Sequence, residues 1–318
     1  MSKKRKKKKK RATPKKVLKK IAKLESKKAV DTAPRVITRE VKILPDEPVT
    51  YLETNIGLAR KTNQDACLCM SLNFMECDKS GKAYLLVVAD GMGGEAEGDK
   101  ASILAVHNLA HTVVQSMIPT SLYETRDLLP DEKAEALTQI LVQGFQSAHL
   151  AIKQYADEDP ERRGMGTTMT AALVSGSILA IAHVGDSRAY LLDHTLRLLT
   201  RDHSLAAEMI SSGQINEEDT EKLPHRHMLT RALGSGDIPR IDTDVINLKG
   251  GERLLLCSDG LWDYVGDDEI LRLSGEIAGE KELGHRLVKL ALERGGKDNC
   301  TVVLSRIHKM EDEKEEIE

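Results

Sequence analysis

The chain reads as a mixed α+β domain, and three observations predict it. Strand-like runs recur along the body: AYLLVVAD, TTMTAALVSG, ILAIAHVGDS, ERLLLCSDG and CTVVLSRI. Two stretches with apolar residues at spacings of three and four, GDKASILAVHNLAHTVVQSM and DEKAEALTQILVQGFQSAHLAIKQYADE, read as adjacent amphipathic helices. Their order (strands, two helices, then further strands at hairpin spacing) lacks the βαβα alternation of a doubly wound parallel sheet.

The segments take their places in order. Residues 1–28 carry 16 Lys/Arg and one Glu, a composition that repels itself and buries little, so a disordered basic tail is expected, with a transient helix over 15–28. Residues 29–49, with prolines at 34, 45 and 48, read as an extended linker. The folded body is expected over 50–308, and 309–318 is an acidic tail. The formal charge of -3 therefore conceals +15 on the tail and -18 on the remainder.

With 318 residues, 40% of them hydrophobic, the chain can bury one large core or two smaller ones; at 3% aromatic, that core is Leu, Ile, Val and Ala. Five scattered cysteines form neither a disulfide framework nor a paired C-x-x-C zinc site, so reduced core thiols and a cytoplasmic location are expected. No apolar run approaches the roughly 20 residues of a membrane helix, and no hydrophobic export segment follows the basic N-terminus.

The loop VADGMGGEAEGD superficially matches a dinucleotide fingerprint, Gly91-x-Gly93-x-x-Ala96. Asp90, Glu95, Glu97 and Asp99 would surround a pyrophosphate with like charge, and the acid such sites place about 20 residues on is missing, so the nucleotide reading fails. Asp90 instead joins a set. Asp90, Asp186, Asp259 and Asp298 each stand where an apolar strand ends in a turn. One such aspartate is usually only a turn former. Four strand ends can converge at one edge of a sheet, where carboxylates without matching Lys or Arg call for a cation. An all-oxygen site suits Mg2+ or Mn2+ over zinc or copper. Arg60, in GLARKTNQD, is either a phosphate-holding guanidinium or an ordinary surface arginine.

Eight blocks then occur in a recognisable order: GLARKTNQDA, VADGMGG, GMGTTMTAAL, AHVGDSRAY, LTRDHS, HMLTRALG, LLLCSDGLWD and GGKDNCTVVL. Over roughly residues 52–307 the chain resembles the type 2C (PPM-type) metal-dependent serine/threonine protein phosphatases in their bacterial form. The resemblance implies a central β-sandwich of two antiparallel sheets flanked by helices (α/β/β/α), with two or three Mn2+ or Mg2+ ions at one edge. It implies that Asp90 bridges two ions, with the Gly91 carbonyl on one and Asp259 and Asp298 on the other. Asp186 then resembles the ligand of a third, weaker ion shared with Asp259. Arg60 matches the phosphate-binding arginine, and Asp65 the acid that orients metal-bound water. The implied reaction is hydrolysis of phosphoserine and phosphothreonine by a metal-activated water without a covalent intermediate. Cys257, beside Asp259, is not required as a nucleophile.

Two departures stand out. Gln64 occupies a position where many members carry glutamate, which weakens one metal contact, and Met92 stands where some eukaryotic members place a proton-donating histidine. Together they leave an alternative open, a metal-binding phosphoprotein-recognition scaffold with weak or absent catalysis. Residues 202–245 correspond to the family's flap beside the active site. Within it, His225-x-His227 is read as solvated flap, since no third His or Cys lies nearby in the chain. The expected partners are phosphoproteins made by a serine/threonine kinase, acted on by a monomer. The basic tail is either a solvated segment or an anchor for a polyanion such as RNA, the ribosome, DNA or an anionic membrane surface; without interleaved aromatics it has no means of stacking on bases.

Overall fold

A strand buried on both faces should be mostly apolar, and the central strands are, with Thr170, Ser175 and His183 as buried polar exceptions. In the computed structural model, which describes residues 37–41, 49–76, 79–93, 97–117, 129–216, 219, 223 and 225–307, β6 (Met169–Ser175) and β7 (Ile178–Val184) are buried at every position. On β4 (Lys79–Met92) successive side chains point to opposite faces: Leu85, Val87 and Ala89 pack beneath helices, while Leu86 and Val88 face the other sheet.

Two antiparallel sheets result. One runs β1 (Ile37–Val41), β2 (Val49–Asn55), β12 (Cys300–Arg306), β11 (Arg253–Cys257), β8 (Arg188–Leu192), β9 (Leu196–Leu198). The other runs β10 (Asp242–Asn247), β7, β6, β4, β3 (Asp65–Glu76), with β5 (Gly166–Thr167) paired to β4. Leu254 and Leu256 of β11 and Val303 of β12 meet Leu86, Val88 and Ile181 in the dry layer between the sheets. Helices α1 (Gly98–Met117) and α2 (Pro130–Asp157) are the two amphipathic stretches read from the sequence; they cover the second sheet through Leu109, Val113, Leu141 and Phe145. The first sheet is covered by α4 (Asp259–Trp262), α5 (Asp267–Glu276) and α6 (Glu280–Glu293), whose Leu283, Leu287 and Val288 pack on Val302 and Leu304. A short flap helix, α3 (Leu205–Ser211), is capped by Ser204, whose side chain accepts from the Ala207 N–H. The expected α/β/β/α sandwich is the observed one.

One boundary differs. Ile37–Val41, inside the segment expected to be an extended linker, pairs antiparallel with β2, so strand structure begins before residue 50. The segment ITREV supplies an edge strand despite the prolines around it. The basic tail over 1–28 and the acidic tail over 309–318 lie outside the described residues. Among the described residues no helix is long and apolar enough to cross a membrane, and Cys67, Cys257 and Cys300 are free thiols.

The antiparallel order sends one set of strand ends to a common edge. Asp65 opens β3 directly opposite Asp90 on β4, Asp186 follows β7, Asp259 follows β11 and Asp298 precedes β12.

Candidate metal centre

Several acids at this edge are held by groups from other elements. The Asp90 N–H donates to Thr168 Oγ1 (3.0 Å), and its carbonyl accepts from the Thr168 N–H and from Thr167 Oγ1, both at 2.8 Å. Thr168 Oγ1 also lies 2.8 Å from Ser187 Oγ, which links the Asp90 strand to the Asp186 turn. Asp65 is held from the opposite sheet: its Oδ2 accepts from Ser258 Oγ at 2.8 Å and from Thr301 Oγ1 at 2.6 Å. Asn299 secures the loop bearing Arg60, donating from Nδ2 to the carbonyls of Ile56 (2.9 Å) and Thr62 (3.1 Å) and accepting from the Gln64 N–H (2.8 Å). Arg60 then reaches across to Asp298, Nη2 donating to Oδ2 at 2.5 Å.

Glycines permit the close approaches. A Cβ on Gly91 would sit 2.1 Å from the Gly98 carbonyl oxygen, so only glycine lets the Asp90 loop lie against the start of α1. Gln64 belongs to the same contact. Its carbonyl accepts from the Gly91 N–H (3.0 Å) and Ser102 Oγ (2.6 Å), and its side-chain amide lies against Gly98. Met92 is partly buried and pairs with Gly166 of β5, with its Cγ beside that glycine.

The electrostatics are those of a crowded acidic cluster. Burial, opposed by the Thr301 and Ser258 hydroxyls, pushes the Asp65 carboxyl up to about 6. Burial and then the charge of Asp202 push Asp186 up to about 7. Burial first, then neighbouring carboxylates, hold Asp90 and Asp259 well above the ordinary carboxylate range. The hydrogen bond that Arg60 donates to Asp298 raises the arginine further. Burial also pushes the Cys257 thiol up, which removes it as a nucleophile.

These residues fit divalent cations on their own geometry. Asp65 Oδ1 and Asp259 Oδ1 are buried and receive no hydrogen bond from any described residue. Buried carboxylate oxygens without donors, surrounded by other carboxylates, are costly unless a cation is bound there. The donor set is oxygen-rich, as Mg2+ and Mn2+ require.

His227, read as solvated flap, is exposed as that reading expects, yet it lies close to the acids. The flap is tied to itself there, the Thr230 N–H donating to the His203 carbonyl (2.8 Å) and the Leu205 N–H to that of Met228 (2.8 Å). His227 Nε2 lies 3.3 Å from Asp263 Oδ2 and accepts from Arg226 Nε at 2.7 Å. Ligand atoms of His227, Asp186 and Asp259 all fall within 4.8 Å of one another, a geometry that can hold one ion. His203 supports the same corner, with Nδ1 accepting from the Gly185 N–H at 3.1 Å and Nε2 lying 3.0 Å from Asp242 Oδ2. Ser258, Thr301, Thr168 and His203 are functional neighbours that the pattern of the sequence does not single out; Ser258 adjoins Asp259 and Thr301 follows shortly after Asp298, whereas Thr168 and His203 carry no such signal.

Residues 59–281 match the model of the protein phosphatase 2C family. The serine/threonine protein phosphatase PstP of Mycobacterium tuberculosis is 36% identical over 252 residues, which make up 79% of this chain and 43% of the relative. The chain thus spans less than half the length of that relative. The serine/threonine phosphatase stp of Listeria monocytogenes is 38% identical over 221 residues, covering 69% of this chain and 83% of the relative. The solved structure of the catalytic domain of PstP in complex with two manganese ions superposes with a TM-score of 0.64 at 33% identity, covering 81% of this chain and 97% of that one.

Proposed function

Because the chain belongs to the protein phosphatase 2C family, we propose that it is a metal-dependent protein phosphatase that hydrolyses phosphoserine and phosphothreonine by direct attack of water. The observation that carries this reading is the convergence of Asp65, Asp90, Asp186, Asp259 and Asp298 at one edge of the sandwich, with two buried carboxylate oxygens lacking a hydrogen-bond donor. Asp90, the Gly91 carbonyl, Asp259 and Asp298 would hold two Mn2+ or Mg2+ ions; Asp186 and Asp259, with His227 from the flap, would hold a third. When bound, such ions supply Lewis-acid chemistry, acidifying water and neutralising phosphoryl charge.

The chain's own groups do the rest. Arg60, half-exposed at the rim, offers a planar fork of N–H donors that matches two oxygens of a phosphoryl group. Asp65 is fixed through Oδ2 by Ser258 and Thr301, which leaves Oδ1 to orient the attacking water in line with the leaving group. The Gln64 amide is neutral where a glutamate would add charge, so cations are held here mainly by the aspartates. Met92 donates no proton, so the leaving alkoxide is protonated from water or another group.

The substrates we propose are phosphoproteins made by a serine/threonine kinase, and the setting is the cytoplasm, a reading supported by the free thiols. The basic segment 1–28 is an anchor for a polyanion, a reading that rests on its charge. The central test is hydrolysis of a phosphopeptide and an aryl phosphate by the full chain with and without Mn2+. Mn2+-dependent release of phosphate that is lost in Asp90→Asn supports the reading; no release, or full activity in Asp90→Asn, overturns it.

A further inference from the structure

Beside the carboxylates, a groove of about 500 Å³ runs between the flap helix α3 and the end of α4. Its apolar lining is Leu198, Ala206, Ala207, Ile210 and Trp262. Leu198 is 38% exposed on the edge strand β9, an apolar side chain presented to the opening rather than to the core. His227 lines the groove, 3.3 Å from Asp263 Oδ2, and also belongs to the metal-capable group with Asp186 and Asp259, so the groove adjoins the metal centre.

The wall is built in advance. Trp262 Nε1 donates to the Asp186 carbonyl at 3.0 Å, tying the indole to the metal-binding turn. The Arg188 guanidinium lies 3.9 Å over the indole ring and is held there by two hydrogen bonds to Asp202, at 3.0 and 2.8 Å. A rigid aromatic wall facing a helix of small side chains is suited to taking a side chain, and the volume lies in the range of pockets that enclose a small ligand.

The occupant follows from continuity. A substrate whose phosphate is held at Arg60 and the acids has a polypeptide running to either side, and an extended chain advances about 3.3–3.6 Å per residue with alternate side chains on one face. Chain leaving past His227 enters this groove within a few residues. Resting on the phosphatase reading above, we propose that the groove binds a bulky apolar side chain of the substrate polypeptide close to the phosphorylated residue, and that this selects phosphosites flanked by Leu, Ile, Met or Phe. Ile210, Ala207 and Trp262 are then specificity-determining residues without a part in the hydrolysis.

The test uses the full chain with Mn2+ and a set of matched phosphopeptides in which Leu replaces Ser at each position around the phosphoresidue in turn. Leu at one or more of these positions should raise kcat/KM about tenfold or more. Ile210→Asp and Ala207→Glu, which place charge in the groove, should erase that preference while p-nitrophenyl phosphate is hydrolysed at the wild-type rate. Trp262 is the chain's one tryptophan, so its fluorescence reads the groove without turnover. In Asp90→Asn protein the preferred Leu peptide should shift its emission at concentrations where the Ser peptide does not, and this readout decides the matter if the groove variants fail to fold. Equal kcat/KM across the set, a preference that survives in both groove variants, or unchanged emission overturns the proposal. Failure of the wild type to hydrolyse p-nitrophenyl phosphate would count against the catalytic reading instead, and the fluorescence titration would still decide the groove.

Discussion

Arg60 and Asp298 face each other across the site at 2.5 Å, an exposed guanidinium paired with a carboxylate at the head of β12. The arginine matched to phosphate thus neutralises one of the acids matched to metal. Arg60→Ala should lower kcat/KM for phosphopeptide by on the order of 100-fold, the scale for removing one charged donor from developing charge. Mn2+ should bind the variant no more weakly, because a competing cation has left Asp298. Steady-state kinetics alongside calorimetric Mn2+ titration separate the two effects, and weakened Mn2+ binding would mean that Arg60 organises the acids instead of competing for one.

The acid cluster makes stability depend on pH in a direction that cations should reverse. Asp65 and Asp186 are pushed up to about 6 and about 7, with Asp90 and Asp259 also raised. A raised carboxyl holds its proton more tightly in the folded state, so its contribution is full below the ordinary value of about 4 and is lost as pH rises through 6–7. His183, buried and pushed down to about 3, works the other way: its contribution is present above about 6.5 and lost as pH falls. That histidine term is shared by metal-free and metal-loaded protein. The difference in Tm between Mn2+ and EDTA should therefore isolate the carboxylates and widen by roughly 5–10 °C between pH 5 and 7.5, as expected for a few kcal/mol in a domain of this size. A constant difference across that range would contradict the assignment.

Gly57 sits at φ +78, where an added Cβ would lie 2.2 Å from the Asp298 carbonyl oxygen. Both the left-handed backbone and the clash oppose a side chain, and the atom met is main chain, which yields little. Gly57→Ala should destabilise the protein by roughly 2–4 kcal/mol, seen as a lower urea midpoint, because strain at such a position and overpacking each cost about 1–3 kcal/mol.

Asp90, Asp186 and Asp259 are legible because each follows an apolar run, and Asp298 because it stands at the head of one, a local pattern that survives without knowledge of the fold. Ser258 and Thr301 are not, since their hold on Asp65 depends on the cross-strand pairing of Cys257 with Val302 and on the approach of one sheet to the other. His227 reads as solvated flap because no third His or Cys lies nearby in the chain; its closeness to Asp186 and Asp259 exists only in the folded structure. Helices α5 and α6 carry the same spacing of apolar residues as α1 and α2, but they are short and split at Ile277–Gly279, so the signal in each is weaker. The β1 strand was hidden among prolines that read as linker.

The basic tail and the body should separate cleanly. Deleting residues 1–30 should abolish salt-sensitive binding to RNA, DNA or anionic vesicles, because the counterion-release term disappears with the 16 Lys/Arg of residues 1–28. Hydrolysis of a small aryl phosphate should be unchanged. Filter binding and vesicle sedimentation across a salt series check this, and binding that persists after deletion would place the anion site on the body.

His227 offers the sharpest test of the third cation position, because it brings nitrogen to a centre otherwise made of oxygen. Imidazole favours Mn2+ or a later transition metal over Mg2+, so the weakest site should be the one most selective against Mg2+. His227→Ala should remove one weakly bound Mn2+ from the calorimetric stoichiometry while leaving the tighter sites as they are, since Asp90 and Asp298 lie outside the group it joins. In the wild type, pulsed electron paramagnetic resonance at saturating Mn2+ should show coupling to an imidazole nitrogen, and the variant should lose it. An unchanged stoichiometry, or a nitrogen signal that survives the substitution, would return His227 to a purely structural contact with Asp263 and leave Asp186 and Asp259 to hold the third ion through oxygen alone.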